Sequence, residues 1–365
     1  MAERRARIAF VAPLTGPESV VGVPMMQAVA LAVDEANHGR QHHRHLGSLL
    51  PCAVELVALD DEANPARARA LAARLVEDGE VIGVVGHKNS GPSAAAGSIY
   101  AAGGLPQISP SSTFSDLARQ GWPTFFRMCA DNDLQAVSAA RFAVDRLEAV
   151  RVAAVHDNSD YGRPLAETFV STVEKGGAEV VLVEAVQLGQ REFDDAVRRL
   201  HQAACDLVYF GLTEIESSFL TRALRAAGVT AHLLGADGGR QSPFPRLAGA
   251  AAEGVWETYA GQDAQASPGG RAFLQAYEGR FGGRQHHPAL ECPIFGPEAY
   301  DAARVLLEAL RRAGAPERKG VLAELKALGG FSGATGDISF EPNGNRHGAQ
   351  ATMWRVVNGA MTPIS

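Results

Sequence analysis

Four short loops carry hydroxyl, amide and acidic side chains in a pattern that suits the capture of a small charged molecule. They cover residues 86–93 (GHKNSGPS), 109–113 (SPSST), 156–162 (HDNSDYG) and 235–239 (GADGG). Each loop is predicted to lie beyond the carboxyl end of a strand, where unpaired N–H groups at helix starts face an incoming anion. This pattern favours binding, because hydroxyls and amides hold carboxylates and an acid holds an ammonium group.

The first two loops favour a carboxylate ligand. Ser90 lies where a helix is predicted to begin, so its hydroxyl and the neighbouring N–H groups would face an anion. Ser111 and Thr113, with the backbone amides of their loop, form a shelf for oxygen atoms. The alternative is structural: Ser90 could simply cap its helix, and Ser/Thr clusters are common in caps and turns.

The other two loops offer an acid and an aromatic ring. Asp237 stands between small residues at a strand end, where it could pair with an ammonium group. Tyr161 could place its ring or hydroxyl against the same ligand. Each residue also has a purely structural interpretation, an acid in a solvated turn for Asp237 and core packing for Tyr161.

The elements that must position these loops alternate between strand and helix in two series. Three further helices and a β-like end around the Asn343-Gly344 turn follow. Strands that alternate with helices in this way indicate parallel sheets, hence two α/β lobes. A chain built in this order is expected to cross between its lobes more than once and to form a hinge. The predicted strands of the two series are 7–13, 54–59, 81–85, 106–109, 151–156, 180–186, 207–211 and 232–235.

Composition limits the class of protein. The chain has 365 residues, of which 46% are hydrophobic and 21% charged, as is typical of a folded protein. Its net charge is -7 and it has no basic block, which argues against a nucleic-acid partner. It contains no run of about 18 apolar residues, so we predict no membrane span. The apolar stretch after the basic start is too short for a signal peptide. Either a leader was removed and the protein is extracytoplasmic, periplasmic or lipid-anchored, or Met1 is the native start and the protein is cytoplasmic.

No motif for catalysis or for a cofactor is present. The first strand is not followed by GxGxxG, and neither a Walker motif nor a GxSxG elbow occurs. His38, His42, His43 and His45 cluster in a predicted loop without a nearby acid, and we interpret them as solvated. Four dispersed cysteines without CxxC spacing predict buried thiols. We therefore predict that the protein is not an enzyme and that it holds neither a metal nor a cofactor.

The loops and their spacing resemble those of a known family. The segments 12–17 (APLTGP), 60–65 (DDEANP), 86–90 (GHKNS), 108–113 (ISPSST) and 156–162 (HDNSDYG) are similar to segments of the branched-chain (Leu/Ile/Val) amino acid binding proteins. These are type I periplasmic solute-binding proteins of ABC transporters, and the similarity runs nearly end to end. The resemblance implies the type I periplasmic-binding-protein fold, an α/β architecture of two Rossmann-like lobes joined by a three-segment hinge.

The resemblance also implies the bounds of the lobes and the activity. The N-terminal lobe would comprise 1–127 plus 257–333, and the C-terminal lobe 128–256 plus 334–365, with the ligand in the cleft between them. We expect a monomeric, non-catalytic protein that closes on a small amino acid or analogue and delivers it to an ABC permease. The alternative is a ligand-sensing receptor domain of the same fold, for an amide or an amino acid. A repressor is disfavoured because no helix-turn-helix precedes Arg7.

The roles of the binding residues follow from the same resemblance. Ser90, Ser111 and Thr113 would hold the carboxylate of the ligand. Asp237 matches a glutamate that takes the α-ammonium group, with a side chain one methylene shorter here. Tyr161 matches a cleft tyrosine.

Several positions depart from the family pattern where the side chain of the ligand would lie. Lys88 replaces an apolar pocket residue, and Asn89 occupies a position of the family's disulfide. Thr213 and Glu214 replace an expected tyrosine pair, while Phe295 takes the position of another cleft aromatic. Burying Lys88 beside an aliphatic ligand would cost several kcal/mol unless it were paired. A polar or charged side chain on the ligand is therefore at least as well suited as that of leucine.

Overall fold

The computed structural model describes residues 5–42 (backbone only for 39–42), 50–237, 242–282 and 294–364. These residues form fourteen strands and twelve α-helices. The strands are β1 (Arg5–Ala12), β2 (Ala53–Asp60), β3 (Val81–Gly86), β4 (Gln107–Ser109), β5 (Phe125–Arg127), β6 (Arg151–His156), β7 (Glu179–Ala185), β8 (Leu207–Gly211), β9 (His232–Ala236), β10 (Trp256–Tyr259), β11 (Phe331–Gly333), β12 (Gly336–Ile338), β13 (Thr352–Val357) and β14 (Ala360–Ile364). The helices are α1 (Ser19–His42), α2 (Pro65–Glu77), α3 (Ser90–Ala102), α4 (Asp116–Arg119), α5 (Asn132–Asp145), α6 (Gly162–Lys175), α7 (Asp194–Ala203), α8 (Glu214–Ala226), α9 (Phe244–Ala248), α10 (Pro268–Tyr277), α11 (Gly296–Ala313) and α12 (Arg318–Lys326).

The chain divides into two compact units, and it passes between them three times along the sequence. Unit 1 comprises Met1–Cys129 and Asp263–Ala349, and unit 2 comprises Ala130–Gln262 and Gln350–Ser365.

These bounds differ from the predicted lobe bounds, most of all at the second and third crossings. Residues 257–262 belong to unit 2, because β10 pairs with β9 and β13 of that unit. Residues 334–349 belong to unit 1. There the backbone N–H groups of Ala334 and Thr335 donate to the buried carboxylate of Asp301, at 2.9 and 2.7 Å.

The main sheet of unit 1 is entirely parallel, in the order β2-β1-β3-β4-β5, and confirms the predicted α/β class for this half of the chain. Its strands are apolar because helices cover both faces. Ala9 and Val84 of the sheet pack with Leu71 of α2 and Tyr100 of α3. The parallel arrangement brings the loops that follow β3 and β4 to the same edge of the sheet.

One helix of the described residues has the length and composition of a membrane span. It is the stretch Ser19–His38 of α1, with a mean hydropathy of 1.2 in its most apolar window, half of which is buried. Buried core helices and signal sequences share this profile. Within unit 1, α1 packs against α11 and Tyr277 donates to Gln27 on α1 at 2.8 Å, as in a core helix.

Two local predictions from the sequence are confirmed. Asn64 caps α2 by accepting from the N–H groups of Ala66 and Arg67 at 2.9 and 3.1 Å, with Pro65 at the first helical position. The turn at Asn343-Gly344 forms, and Gly344 has a φ of 85°. A Cβ at Gly344 would lie 2.0 Å from the carbonyl oxygen of Phe125, so the turn requires glycine on both grounds.

Unit 2 contains a seven-stranded sheet in the order β14-β13-β10-β9-β8-β6-β7. The strands from β10 to β7 are parallel, while β13 and β14 extend the sheet antiparallel. On one face, Phe169 of α6 stacks on Tyr209 of β8 with ring centroids 3.8 Å apart. The loops that follow β6, β8 and β9 leave the sheet at the same edge, because parallel strands end together.

Candidate functional site

Ser90 of unit 1 is placed as the sequence predicts, at the first residue of α3 and buried. Its Oγ accepts a hydrogen bond from the N–H of Phe114 at 3.3 Å. Because the oxygen acts as the acceptor there, the hydroxyl proton can be donated to an anion. The bond also ties the start of α3 to the loop that follows β4, so the two predicted carboxylate loops meet.

The hydroxyls of the second loop mostly face the protein. Ser111 Oγ donates to the carbonyl of Lys88 at 2.9 Å. Ser112 and Ser109 both donate to the carbonyl of His87 at 2.9 Å. The hydroxyl proton of Ser111, which we expected on the ligand, is therefore used to hold the loop at residues 87–88. Ser111 retains only its lone pairs and main chain for a ligand.

Thr113 differs from its neighbours in the same loop. Its side chain is 1% exposed, and its Oγ1 has no hydrogen-bond partner among the described residues. A buried hydroxyl without a partner costs about 1–3 kcal/mol, and such groups are usually satisfied by a ligand or by water. Together with Ser90, Thr113 is the group of unit 1 best suited to receive a carboxylate oxygen.

A buried triad of Asp61, His87 and Tyr100, which sequence reasoning missed, holds the start of the loop that follows β3. His87 Nδ1 lies 2.7 Å from Asp61 Oδ2, and His87 Nε2 lies 3.1 Å from the phenol oxygen of Tyr100. All three side chains are fully buried. Burial, with a smaller effect from the charge of Asp61, raises the pKa of Tyr100, so the phenol keeps its proton and donates it to Nε2. This arrangement leaves the Nδ1 proton of His87 to be donated to Asp61.

Lys88 and Asn89 both contact Glu18, a partner that sequence reasoning missed. The Lys88 ammonium, 8% exposed, lies 2.8 Å from Glu18 Oε2, and Asn89 Nδ2 donates to the same oxygen at 2.7 Å. Burial acts to raise the pKa of Glu18, but Lys88 and Asn89 outweigh it and hold that pKa below its ordinary value. The pairing that a buried Lys88 requires is thus present, and it brings no net charge.

In unit 2, Asp237 lies close enough to Tyr161 to affect the ionisation of its phenol. Asp237 follows β9 directly and has a φ of 61°, a left-handed conformation that is unusual for a residue with a side chain. Burial, and next the charge of Asp237, raises the pKa of Tyr161 well above its ordinary value. The same two causes raise the pKa of Tyr209. Asp237 therefore lies beside two phenols that stay protonated. Residues 238 and 239 of this loop lie outside the described residues.

Thr213 and Glu214 have different roles. The hydroxyl of Thr213 donates to the carboxylate of Glu216, which also accepts from the N–H of Gly189 at 2.7 Å. Thr213 is thereby engaged within unit 2 and does not present its proton to a ligand. Glu214 begins α8, and its side chain is buried close to Tyr161, whose pKa its charge helps to raise.

A third acid, Glu257, belongs to this group and was missed in the sequence. It lies on β10 opposite Gly235 of β9 and is 2% exposed. Burial raises its pKa well above the ordinary value, and the charges of Glu214 and Asp237 raise it further. The signal in the sequence is an acid inside an otherwise apolar strand, which indicates either a partner or a functional site.

Phe295 and the histidine cluster are the two remaining predictions from the sequence. Phe295 is buried in unit 1, directly before α11, with a φ of 64°. Nothing in unit 1 by itself tests its predicted place on the ligand. His43, His45 and the side chain of His42 lie outside the described residues. No group of three or more His, Cys, Asp or Glu suited to a metal ion occurs in the described part of the chain.

The chain belongs to the periplasmic binding protein family, whose profile matches residues 5–360. This is a family of solute-binding proteins. The fold class predicted from the sequence, two α/β lobes of the periplasmic-binding type, is confirmed by this match and by solved structures.

Individual relatives agree with the family. The Leu/Ile/Val-binding protein homolog 1 of Brucella melitensis is 28% identical over 348 residues, which are 95% of this chain and 89% of the relative. The leucine-, isoleucine-, valine-, threonine- and alanine-binding protein of Pseudomonas aeruginosa is 29% identical over 345 residues, 94% and 88% of the two chains.

Among solved structures, the leucine-binding protein LivK of Thermotoga maritima has a TM-score of 0.85 at 26% identity, covering 99% of this chain and 98% of that one. A solute-binding protein of R. palustris in complex with benzoate has a TM-score of 0.83 at 18% identity, covering 99% and 96%. The second likeness shows the fold alone. The fold thus serves solutes with and without an amino group.

Proposed function

We propose that this protein is a non-catalytic, extracytoplasmic solute-binding protein that captures an amino acid and delivers it to an ABC permease. One observation supports the proposal: the buried Thr113 hydroxyl has no partner among the described residues, and the Ser90 hydroxyl proton can be donated to an anion. Asp237, an acid beside Tyr161, suits a cation. A zwitterionic α-amino acid is the simplest solute that needs both. The relatives named above bind amino acids by their names, which supports the same choice.

In this proposal the carboxylate of the ligand accepts from Ser90 and Thr113 of unit 1. Its ammonium group donates to Asp237 of unit 2, with the ring of Tyr161 alongside. Each contact to a charged group contributes about 1.5–3 kcal/mol. A ligand held by both units would stabilise the closed form of a hinged protein.

The test is a thermal-shift screen of the purified protein against the standard L-amino acids, small amides and carboxylates that include benzoate. A ligand that binds only the folded state raises the unfolding temperature by mass action. We expect hits among the amino acids and none among carboxylates that lack an amino group. Calorimetry then gives the Kd of each hit, and NMR of the recovered ligand should show it chemically unchanged.

Benzoate serves as the decisive control because it has a carboxylate and no ammonium group. Binding of benzoate that equals the binding of the best amino acid would contradict the role of Asp237. Conversion of any bound ligand would contradict the non-catalytic assignment.

A further inference from the structure

Arg127 is the last residue of β5 in unit 1, and its side chain is fully buried. A completely buried arginine is rare, because its guanidinium carries five N–H donors that lose water and need acceptors. The group is planar and rigid, so it holds several acceptors in one fixed geometry. The acceptors of Arg127 therefore show which part of unit 1 it fixes.

The guanidinium of Arg127 holds the loop that follows β4 on both sides of Thr113. Its Nη1 donates to the carbonyl of Ser112 at 3.2 Å and to the carbonyl of Phe114 at 2.8 Å. The main chain adds a tie at the start of the loop, where the N–H of Met128 donates to the carbonyl of Ser109 at 2.9 Å. The main chain on either side of Thr113 is thus bound to one rigid group.

Asn345 fixes the other edge of the guanidinium. Its Oδ1 accepts from Nε and Nη2 of Arg127 at 3.2 and 2.6 Å. Asn345 is itself held, because its N–H donates to Asn343 Oδ1 at 3.0 Å. The N–H of Arg127 also donates to the carbonyl of Gly344 at 2.9 Å. Arg127 thus links the turn at Asn343-Gly344 to the loop that carries Thr113.

The Thr113 hydroxyl needs this support more than its neighbours do. The hydroxyls of Ser111 and Ser112 are directed by their own bonds to main-chain carbonyls, at 2.9 Å each. Thr113 Oγ1 has no partner among the described residues, so its direction depends on the main chain of the loop. A group that must wait for a ligand binds it well only when its position is fixed beforehand.

We propose that Arg127 is a positioning residue of the binding site and that it acts through Thr113. Its bonds to the loop and to Asn345 place the Thr113 hydroxyl for the carboxylate of an amino acid. This inference rests on the proposed function, in which Thr113 receives that carboxylate. Arg127→Lys tests it, because lysine keeps the positive charge but lacks the fork that holds two carbonyls and an amide oxygen at once.

The experiment is a double-mutant cycle with Thr113→Val, measured by calorimetry on the full chain. The probe is the standard L-amino acid that binds wild type most tightly in the thermal-shift screen, with L-leucine and L-threonine measured first. Arg127→Lys should weaken its binding by about fivefold, close to the loss in Thr113→Val, because a misplaced hydroxyl loses one ordinary hydrogen bond. In the Thr113→Val background the same substitution should cost less than about twofold, because the hydroxyl through which Arg127 acts is gone.

Arg318→Lys is the matched control. Arg318 is a second arginine of unit 1 that holds main-chain carbonyls: its Nε donates to that of Val81 at 2.7 Å and its Nη1 to that of Val76 at 2.8 Å. Val81 begins β3, so these contacts lie at the edge of the sheet opposite to the binding loops. Both lysine variants should be less stable in urea unfolding, whereas only Arg127→Lys should lose affinity. A purely structural role of Arg127 would make the two arginines alike in both measurements.

Variants of Asn345 give an independent test that leaves Arg127 in place. Asn345→Ala removes the acceptor that orients the guanidinium and should weaken binding of the same amino acid by about two- to fivefold. Asn345→Asp keeps an acceptor at that position and should bind as wild type does. Circular dichroism shows which variants are folded, and this pair tests the inference even if Arg127→Lys is not.

The outcomes separate this inference from the proposed function. An unchanged affinity in folded Arg127→Lys, or the same loss in Asn345→Asp as in Asn345→Ala, overturns the inference while the proposed function stands. An equal loss from Arg127→Lys in wild type and in Thr113→Val overturns it as well, because Arg127 then does not act through Thr113. If no standard amino acid binds wild type, the proposed function fails and the inference fails with it.

Discussion

The loops of the two units occupy equivalent places in their sheets, yet they treat their polar groups differently. In unit 1 most polar groups satisfy one another: the carbonyls of His87 and Lys88 receive serine hydroxyls, and Lys88 is paired with Glu18. In unit 2, the charges of Glu214 and Asp237 act on Glu257 and, together with burial, raise its pKa. Hydrogen bonds within the protein thus hold the loops of unit 1, whereas the charges of buried acids dominate the loops of unit 2.

Under the proposed function, this difference gives the two units different parts in binding. A loop whose polar groups are satisfied internally is rigid and leaves few groups for a ligand, here Ser90 and Thr113. A carboxylate that is buried among other acids, such as Glu257, is costly to ionise. Four predictions test this contrast, from the largest expected effect to the smallest.

Asp61→Ala should destabilise unit 1 strongly. The substitution leaves the buried His87 ring and the N–H of Ala63, which Asp61 accepts at 3.0 Å, without their acceptor. Leaving a buried donor without its acceptor costs about 1–3 kcal/mol for each donor. Hydrogen exchange measured by mass spectrometry should show faster exchange in peptides of unit 1 and little change in unit 2. Tyr100→Phe, which removes only the 3.1 Å contact, should cost about 1 kcal/mol. Equal exchange in wild type and Asp61→Ala would show that the triad does not support the loop.

Asp237→Asn should weaken amino-acid binding without unfolding unit 2. Loss of a charge-assisted contact corresponds to about 1.5–3 kcal/mol, hence at least about tenfold in Kd. Calorimetry with the best ligand of the screen measures the change. The same affinity in wild type and variant would move the ammonium group away from Asp237.

Glu257→Gln should stabilise the unliganded protein at neutral pH. Burial, together with the charges of Glu214 and Asp237, raises the pKa of Glu257 above its ordinary value of 4.5. The folded state therefore keeps a proton that the unfolded state releases, and native stability falls as the pH rises above that value. The variant should be more stable by about 1–2 kcal/mol at pH 7, and the gain should vanish at a pH of about 4. Urea unfolding at both pH values measures it; a gain that does not depend on pH would contradict the assigned cause.

Thr113→Val and Ser111→Ala should differ in their effects on stability and on ligand affinity. Thr113→Val removes a buried hydroxyl without a partner, so stability should hold or rise while ligand affinity falls by about 1 kcal/mol. Ser111→Ala removes the 2.9 Å bond to the Lys88 carbonyl, so stability should fall by about 1 kcal/mol with a smaller effect on affinity. Thermal unfolding and calorimetry on the two variants give both values. A loss of affinity that is larger for Ser111→Ala would restore the predicted role of its hydroxyl.

Much of the fold could be predicted because the spacing of apolar residues indicates which faces of strands and helices are buried. The strands from β1 to β4 and from β6 to β9 were found from apolar runs and turn residues, as was the cap at Asn64. Sequence reasoning missed β5, which has three residues, and α5, whose amphipathic pattern is weak. The places where the chain leaves one unit for the other depend on strand pairing, which apolar periodicity does not record.

By itself, the sequence determined which residue types stand at the strand ends. Ser90, Thr113 and Asp237 could be selected because parallel strands carry their following loops to one edge of a sheet, whatever the details of packing. The resemblance to the periplasmic binding proteins rests on the same residues.

Only the tertiary structure decided which of those groups remain available to a ligand. Lys88 forms an ion pair with Glu18, and Ser111 donates to the Lys88 carbonyl. Thr213 donates to Glu216, and Glu257 lies close enough to Asp237 for that charge to raise its pKa. Such pairings depend on side-chain directions and on strand register between distant parts of the chain. The physical reason is that a buried polar group must be satisfied by whatever the fold brings near it, and neither spacing nor composition records that neighbour.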